Sequence, residues 1–315
     1  MNIRIIMKIL RFFKQTAWWL AFLGICAYTL VFVLPNFFYQ EKPNQNHAVL
    51  TLWHVDSFEG GKGSRAAFLK SIARRYQETG GAMILVSAKT GEGVRDAWRQ
   101  GERPDLLSFG GYAPVEEWWD DVACWCYGKY VLYSLEDEEV ITPENTVISL
   151  GGDNLPQVAA AMSGWKGEYV IKNSLEAYVS FLSGKYQYLL GTQRDACRFQ
   201  SRGVEVKMLA MDAFSDLMQY IVSTRVETKK EGDAFIRYLL SENSQTLLTE
   251  IGLFSRYFHI YSEKDELQRK IERGNVLFTL SPFVDLQVRR GVLQCAQDVM
   301  NGAKIELLKK FLKSV

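Results

Sequence analysis

Histidine is scarce. There are three, at positions 47, 54 and 259 of 315 residues, and none sits close enough to a cysteine in sequence to suggest a zinc site, so no metal is expected. Net charge is also nearly absent, with 37 Lys+Arg against 36 Asp+Glu, which removes any global electrostatic reason to bind nucleic acid. Five cysteines in a chain of this length cannot stand in for a hydrophobic core, so a small disulfide-stapled scaffold is excluded. No Gly-x-Ser-x-Gly elbow, no His-Glu-x-x-His and no Cys/His pair is found, so catalysis has little support and no cofactor is implied. Low-complexity tracts and internal repeats are missing too. What remains is a chain that is 48% hydrophobic and 13% aromatic, rich enough to fold and long enough for about two domains.

The longest uncharged run is at the N-terminus. Between Lys14 and Glu41 no residue is charged, and Ala17 to Leu34 is apolar enough to cross a bilayer, whose core of roughly 30 Å needs about 20 helical residues. Arg4, Lys8, Arg11 and Lys14 precede it, so the positive-inside rule keeps the N-terminus cytoplasmic and sends residues 42–315 to the other side. Trp18, Trp19, Phe37, Phe38 and Tyr39 lie near its two ends, where aromatic rings favour the interface. The rival is a cleaved signal peptide. The run exceeds the usual apolar region of about 7–15 residues and lacks a small-x-small cleavage site, so an uncleaved anchor over residues 16–38 is the expectation. Ile25 before Cys26 speaks against lipidation there.

After a short polar linker, a strand–helix alternation begins. Val49–Trp53 is a buried strand; Ser64 caps a helix over Arg65–Tyr76; Ala82–Ser87 is a second strand; a helix covers about 93–100; and Pro104–Phe109 is a third strand ending at Gly110-Gly111. This order predicts a parallel sheet with right-handed crossovers, whose ligands bind at the carboxyl ends of the strands. Further on, Thr146–Leu150 reads as a strand ending in Gly151-Gly152, 175–182 as a helix, Tyr186–Leu190 as a strand, and 232–252 as a long helix broken near 241–244. The stretch 287–312 is helical with interruptions at Gly291 and Gly302.

These segments carry a resemblance. Leu52-Trp-His-Val-Asp-Ser-Phe-Glu-Gly-Gly-Lys-Gly-Ser-Arg65, Gln77–Val86, Gly101–Gly110, Ala177–Arg194, Phe214–Tyr220 and Ala234–Gln245 follow the order seen in bacterial extracellular solute-binding proteins of family 1, the carbohydrate-type binding proteins of ABC importers. The resemblance spans residues 48–256. It implies a two-lobed α/β periplasmic-binding-protein-like fold of type II, a sugar-like or other small polar solute, and ABC permease partners. It also implies lobe 1 from residues 48–112 and about 205–256, and lobe 2 from about 113–204 and 257–315. The chain is shorter than is usual for that family, chiefly between Gly152 and Trp165, and a membrane span stands where the family has a lipidated N-terminus.

Candidate ligand contacts follow from the strand ends. Asp56, Phe58, Glu59 and Arg65 lie in or just after the loop beyond the first strand, where glycines 60, 61 and 63 either admit a ligand to the backbone or simply turn the chain. Gly63 stands where a P-loop needs Ser or Thr. Asp56 and Arg65 are either ligand groups or an internal ion pair. Trp53, Phe58, Phe109, Trp125 and Tyr127 offer aromatic faces, with core packing as the alternative for each. Gln193, Arg194 and Asp195 follow Gly191 at a second strand end, and Asp216 sits near the expected crossover. Cys124 and Cys126 are spaced too tightly for an ordinary disulfide, which leaves pairing through Cys197 or Cys295 open.

Overall fold

The computed structural model describes residue 29 and residues 48–55, 63–117, 119–135 and 140–315. The expected anchor apart from Thr29, together with Asp56, Phe58 and Glu59, lies outside the described residues. Among the described residues no helix is long and apolar enough to cross a membrane. Residues 48–315 form one compact unit built on two five-stranded sheets.

In the first sheet, β1 (Val49–Val55), β2 (Met83–Lys89) and β3 (Leu106–Phe109) run parallel, as the alternation of strands and helices requires. Two antiparallel strands complete it, β10 (Met218–Ser223) beside β3 and β4 (Ala123–Tyr127) at the edge. Helix α1 (Arg65–Glu78) starts where Ser64 Oγ accepts from the Ala67 amide at 3.4 Å. Its Phe68, Leu69 and Ile72 pack on Leu50 and Leu52 of β1, and each fully buried aliphatic side chain contributes about 1.5–3 kcal/mol. The opposite face, with Trp53, Val55 and Phe109, is covered by α2 (Gly91–Arg99) through Val94 and Trp98.

The second sheet has the order β7 (Val170–Asn173), β6 (Thr146–Leu150), β8 (Tyr188–Thr192), β5 (Tyr130–Ser134), β9 (Lys207–Met211). Strands β6, β7 and β8 are parallel, and β5 is antiparallel to β8 and β9. One face is covered by α3 (Pro156–Met162), α9 (Leu286–Met300) and α10 (Ile305–Ser314). The other is covered by α4 (Ser174–Leu182), α5 (Gln193–Ser201) and α8 (Glu266–Arg273). Helices α6 (Lys229–Leu239) and α7 (Glu242–Thr246), followed by a 3₁₀ turn over Leu247–Ile251, belong with the first sheet.

The chain changes lobes at Gly128-Lys129, between β4 and β5, over 212–217, between β9 and β10, and a third time between the 3₁₀ turn ending at Ile251 and α8 starting at Glu266. The first two points fall later than the divisions at 112/113 and 204/205 expected from sequence. Residues 123–127 pair with β10 in lobe 1, and 207–211 pair with β5 in lobe 2. Gly291 differs from expectation as well, because α9 runs through it without a break. A Cβ there would stand 3.0 Å from the Phe311 ring, so the missing side chain sets how closely α10 approaches α9. The break occurs at Gly302, between the two helices.

Candidate functional site

The carboxyl ends of β1–β3 and of β6–β8 face each other, because both sheets meet at the same pair of crossovers. Between them lies an open cleft of about 770 Å³. Its walls come from the start of α2 (Glu92, Arg95), the loop after β3 (Tyr112 to Glu117), Asp153 after β6, and the segment 282–286 leading into α9. A chamber of about 220 Å³ adjoins it, sharing Tyr112, Asp153 and Leu286 and adding Gln157, Arg289 and Arg290. A site of this size, with aromatic and apolar walls and a few polar groups, suits a small solute.

A buried polar cluster spans the cleft. The guanidinium of Arg289 donates to Gly111 O of lobe 1 at 3.1 Å, to Asp153 O of lobe 2 at 2.5 Å, and to Asp216 Oδ2 at 3.2 Å. Asp216 also accepts from Tyr130 Oη at 2.7 Å and from the Leu155 amide at 3.1 Å. Burial pushes its carboxyl up, against the opposing pull of Arg289 and of the Tyr130 hydroxyl. Gly111 is needed here, since a Cβ would collide with the Asp216 carbonyl. Asp216 therefore sits at the crossover with its charge engaged by protein groups.

The other predicted residues go to two places. Phe109 and Trp125 are enclosed in lobe 1, fully buried. Trp125 stacks on Phe68 with centroids 5.7 Å apart, and its Nε1 donates to Ser108 Oγ at 3.2 Å. Ser108 Oγ lies 3.0 Å from Nδ1 of His54, whose pKa is lowered to about 3 by burial and by the nearby Arg65 charge. Arg65 is itself buried at the start of α1.

Tyr127, Gln193, Arg194 and Asp195 gather beside the crossover. Burial, with the charges of Glu272, Cys124 and Asp212, pushes the Tyr127 phenol up to about 12. Gln193 ties α5 to the hinge by accepting from the Lys129 amide at 2.7 Å and donating to Gly252 O at 3.1 Å. Arg194 reaches across to lobe 1, donating to Gly63 O at 2.6 Å and to Ile251 O at 3.2 Å. Asp195 caps its own helix, accepting from the Thr192 amide at 3.0 Å. All three are buried. Cys124, Cys126, Cys197 and Cys295 are free thiols.

The cleft lining was therefore drawn largely from residues that sequence reasoning did not select: Tyr112, Glu92, Arg95, Asp153, Asp285, Leu286 and Arg289. A signal existed for two of them, since Tyr112 and Asp153 directly follow the strand-end pairs Gly110-Gly111 and Gly151-Gly152. Among the described residues no group of His, Cys, Asp and Glu could hold a metal ion.

No protein-family model matches the sequence, and no curated protein matches it either. Solved structures share the fold. The Atu4243-GABA receptor aligns with a TM-score of 0.56 and 12% identity over 82% of this chain and 99% of that one. Iron-bound HitA from Pseudomonas aeruginosa gives 0.54 and 15%, over 80% and 99%. The maltotriose-binding protein of Thermus thermophilus, bound with maltotriose, gives 0.53 and 10%, over 84% and 98%. At these identities the likeness establishes a fold: residues 48–315 have the two-lobed architecture found in binding proteins whose ligands are as unlike as a metal ion and an oligosaccharide. The chain spans nearly the full length of each.

Proposed function

We propose that residues 48–315 form an extracytoplasmic receptor that takes a small polar solute between its lobes, without catalysis, and delivers it to the permease of an ABC importer. The observation that carries this reading is the cleft at the carboxyl ends of both parallel strand sets, lined by Tyr112 and by charged groups from both lobes. The fold shared with maltotriose-bound and iron-bound proteins supports it. The uncharged run before Glu41 would hold the receptor at the membrane, doing the work of a lipid anchor. The family resemblance taken by itself would make the solute sugar-like.

A second reading has its own observation. Arg194 is spent on lobe-to-lobe bonds to Gly63 and Ile251, and Phe283 from the α9 approach packs on Phe109 and Trp119 of lobe 1. A fold kept shut by its own side chains would serve as a structural or sensory element, not as a transport receptor.

A thermal-shift panel of the full-length chain against sugars, amino acids, polyols and amines separates the two. A ligand at 100 times its Kd stabilises by about 2.7 kcal/mol. A shift that disappears in Tyr112→Ala supports the receptor. A cooperative melt that no member of the panel moves supports the structural reading.

A further inference from the structure

The acidic side chains of this chain are not spread evenly around the cleft. The molecule as a whole carries a formal charge of +1. Yet Glu92, Glu116, Glu117, Asp153 and Asp285 all line the opening. Arg95 and Arg290 oppose them. Arg289 does not add to that opposition, because Asp216 neutralises it at 3.2 Å in a fully buried pair. Two of the carboxylates are held in place: Glu117 Oε2 accepts from Trp98 Nε1 at 3.0 Å, and Asp285 Oδ1 accepts from the Val288 amide at 2.8 Å. The local field therefore favours a cation.

Gln157 gives an independent indication. Its side chain, 8% exposed, stands in the wall of the adjoining chamber, and its Oε1 has no hydrogen-bond donor among the described residues. A buried acceptor without a donor is costly, and a ligand N–H that reached the chamber would satisfy it. Aromatic faces supply a third element. The Tyr112 ring already carries the Arg289 guanidinium 5.4 Å from its centroid, and Phe283 lines the opening, so the walls are of the kind that attract cations.

We infer that the solute taken by this cleft is an organic amine bearing at least one ammonium group, an inference that rests on the solute-binding reading above. A dicarboxylate meets the acidic rim unfavourably. A neutral sugar satisfies Gln157 and can donate its hydroxyls to the carboxylates, but carries no positive charge for their field to attract. An ammonium compound uses all three features.

The test is isothermal titration of the full-length chain in a polyoxyethylene detergent, which carries no sugar head group, with putrescine, spermidine, maltotriose and succinate as probes. The expected result is binding of one or both amines that weakens as salt is raised. In Glu92→Gln/Glu116→Gln, whose changes are at exposed positions, amine affinity falls by about tenfold. Glu205→Gln, on the outer edge of lobe 2, leaves it unchanged. Binding of maltotriose or succinate without either amine, lost in Tyr112→Ala, overturns the inference and keeps the receptor reading. Amine binding that Glu92→Gln/Glu116→Gln does not weaken also overturns it, by placing the amine elsewhere. A protein that melts cooperatively and binds no probe overturns the inference and counts against the receptor as well.

Discussion

Arg289→Leu is the substitution that most directly tests how the two lobes are joined. In the native protein its guanidinium bonds to Gly111 O, Asp153 O and Asp216, and both side chains of the ion pair are almost entirely buried. Removing the cation leaves Asp216 with the Tyr130 hydroxyl and the Leu155 amide as donors, and leaves two carbonyls without theirs. Breaking a buried pair from one side costs about 3–5 kcal/mol. At about 2–4 °C per kcal/mol for a protein of this size, the melting temperature falls by about 6–20 °C. The pH dependence gives a second reading of the same event. Burial already pushes the Asp216 carboxyl up, and without Arg289 it rises further. An acid whose pKa is higher in the folded state takes up a proton on folding, so its penalty grows as pH rises above about 4 and is absent below that. The deficit of Arg289→Leu relative to the native protein therefore shrinks on acidification toward pH ~4. Adding Asp216→Asn, whose one amide oxygen can accept from the Leu155 amide while its NH2 donates to the Tyr130 hydroxyl oxygen, recovers about 2 kcal/mol or more at neutral pH. Circular-dichroism melts of the single and double variants across pH settle it. A loss below about 1 kcal/mol in Arg289→Leu, or a deficit independent of pH, refutes the cluster as a buried electrostatic joint.

Three further outcomes are expected. Trp125→Ala costs about 3–5 kcal/mol in denaturant melts because the ring is fully buried against Phe68; a stability change under about 1 kcal/mol would show that the ring is not part of the core. His54 is held neutral by burial, with its folded pKa near 3 against about 6.5 unfolded, so unfolding binds a proton throughout the interval between them. Stability is then fully present above pH ~6.5 and falls by about 1.4 kcal/mol per pH unit below it, a slope that His54→Phe flattens between pH ~6.5 and ~5. Arg194→Met frees Gly63 and Ile251 from lobe 2, and small-angle scattering shows a more open protein than the native one; superimposable profiles would mean that the bond does not hold the lobes.

Much of lobe 1 was legible because its signals are local. Val49–Trp53, Ala82–Ser87 and Pro104–Phe109 are apolar runs bounded by glycine or a helix cap, and the structure starts and ends the corresponding strands within three residues of those limits. The crossover at Gly128-Lys129 was not legible. Two strands separated by a Gly-Lys pair have the local sequence of a hairpin, and only long-range pairing, of Tyr127 with Met218 and of Tyr130 with Thr192 and Met211, assigns them to different sheets. Gln193, Arg194 and Asp195 read from sequence only as residues of a second strand end; Asp195 caps its own helix, but the Gln193 and Arg194 side chains bond to partners 57 or more residues away in sequence, which no window reveals. Arg289 is the same case in sharper form: within 286–300 it reads as one more polar position on a helix, and its partners lie 73, 136 and 178 residues upstream.

The pairing of Tyr127 with Met218 has an engineering consequence. These two residues face each other across adjacent antiparallel strands, so the 90 intervening positions enter and leave lobe 1 at a single point. A two-residue Asn-Gly turn spans such a gap. Replacing 128–217 by that turn would leave β1–β4 and β10 covalently continuous, a circuit into which the whole second sheet had been plugged as a cassette, with α8, α9 and α10 added afterwards from the far end of the chain to cover it.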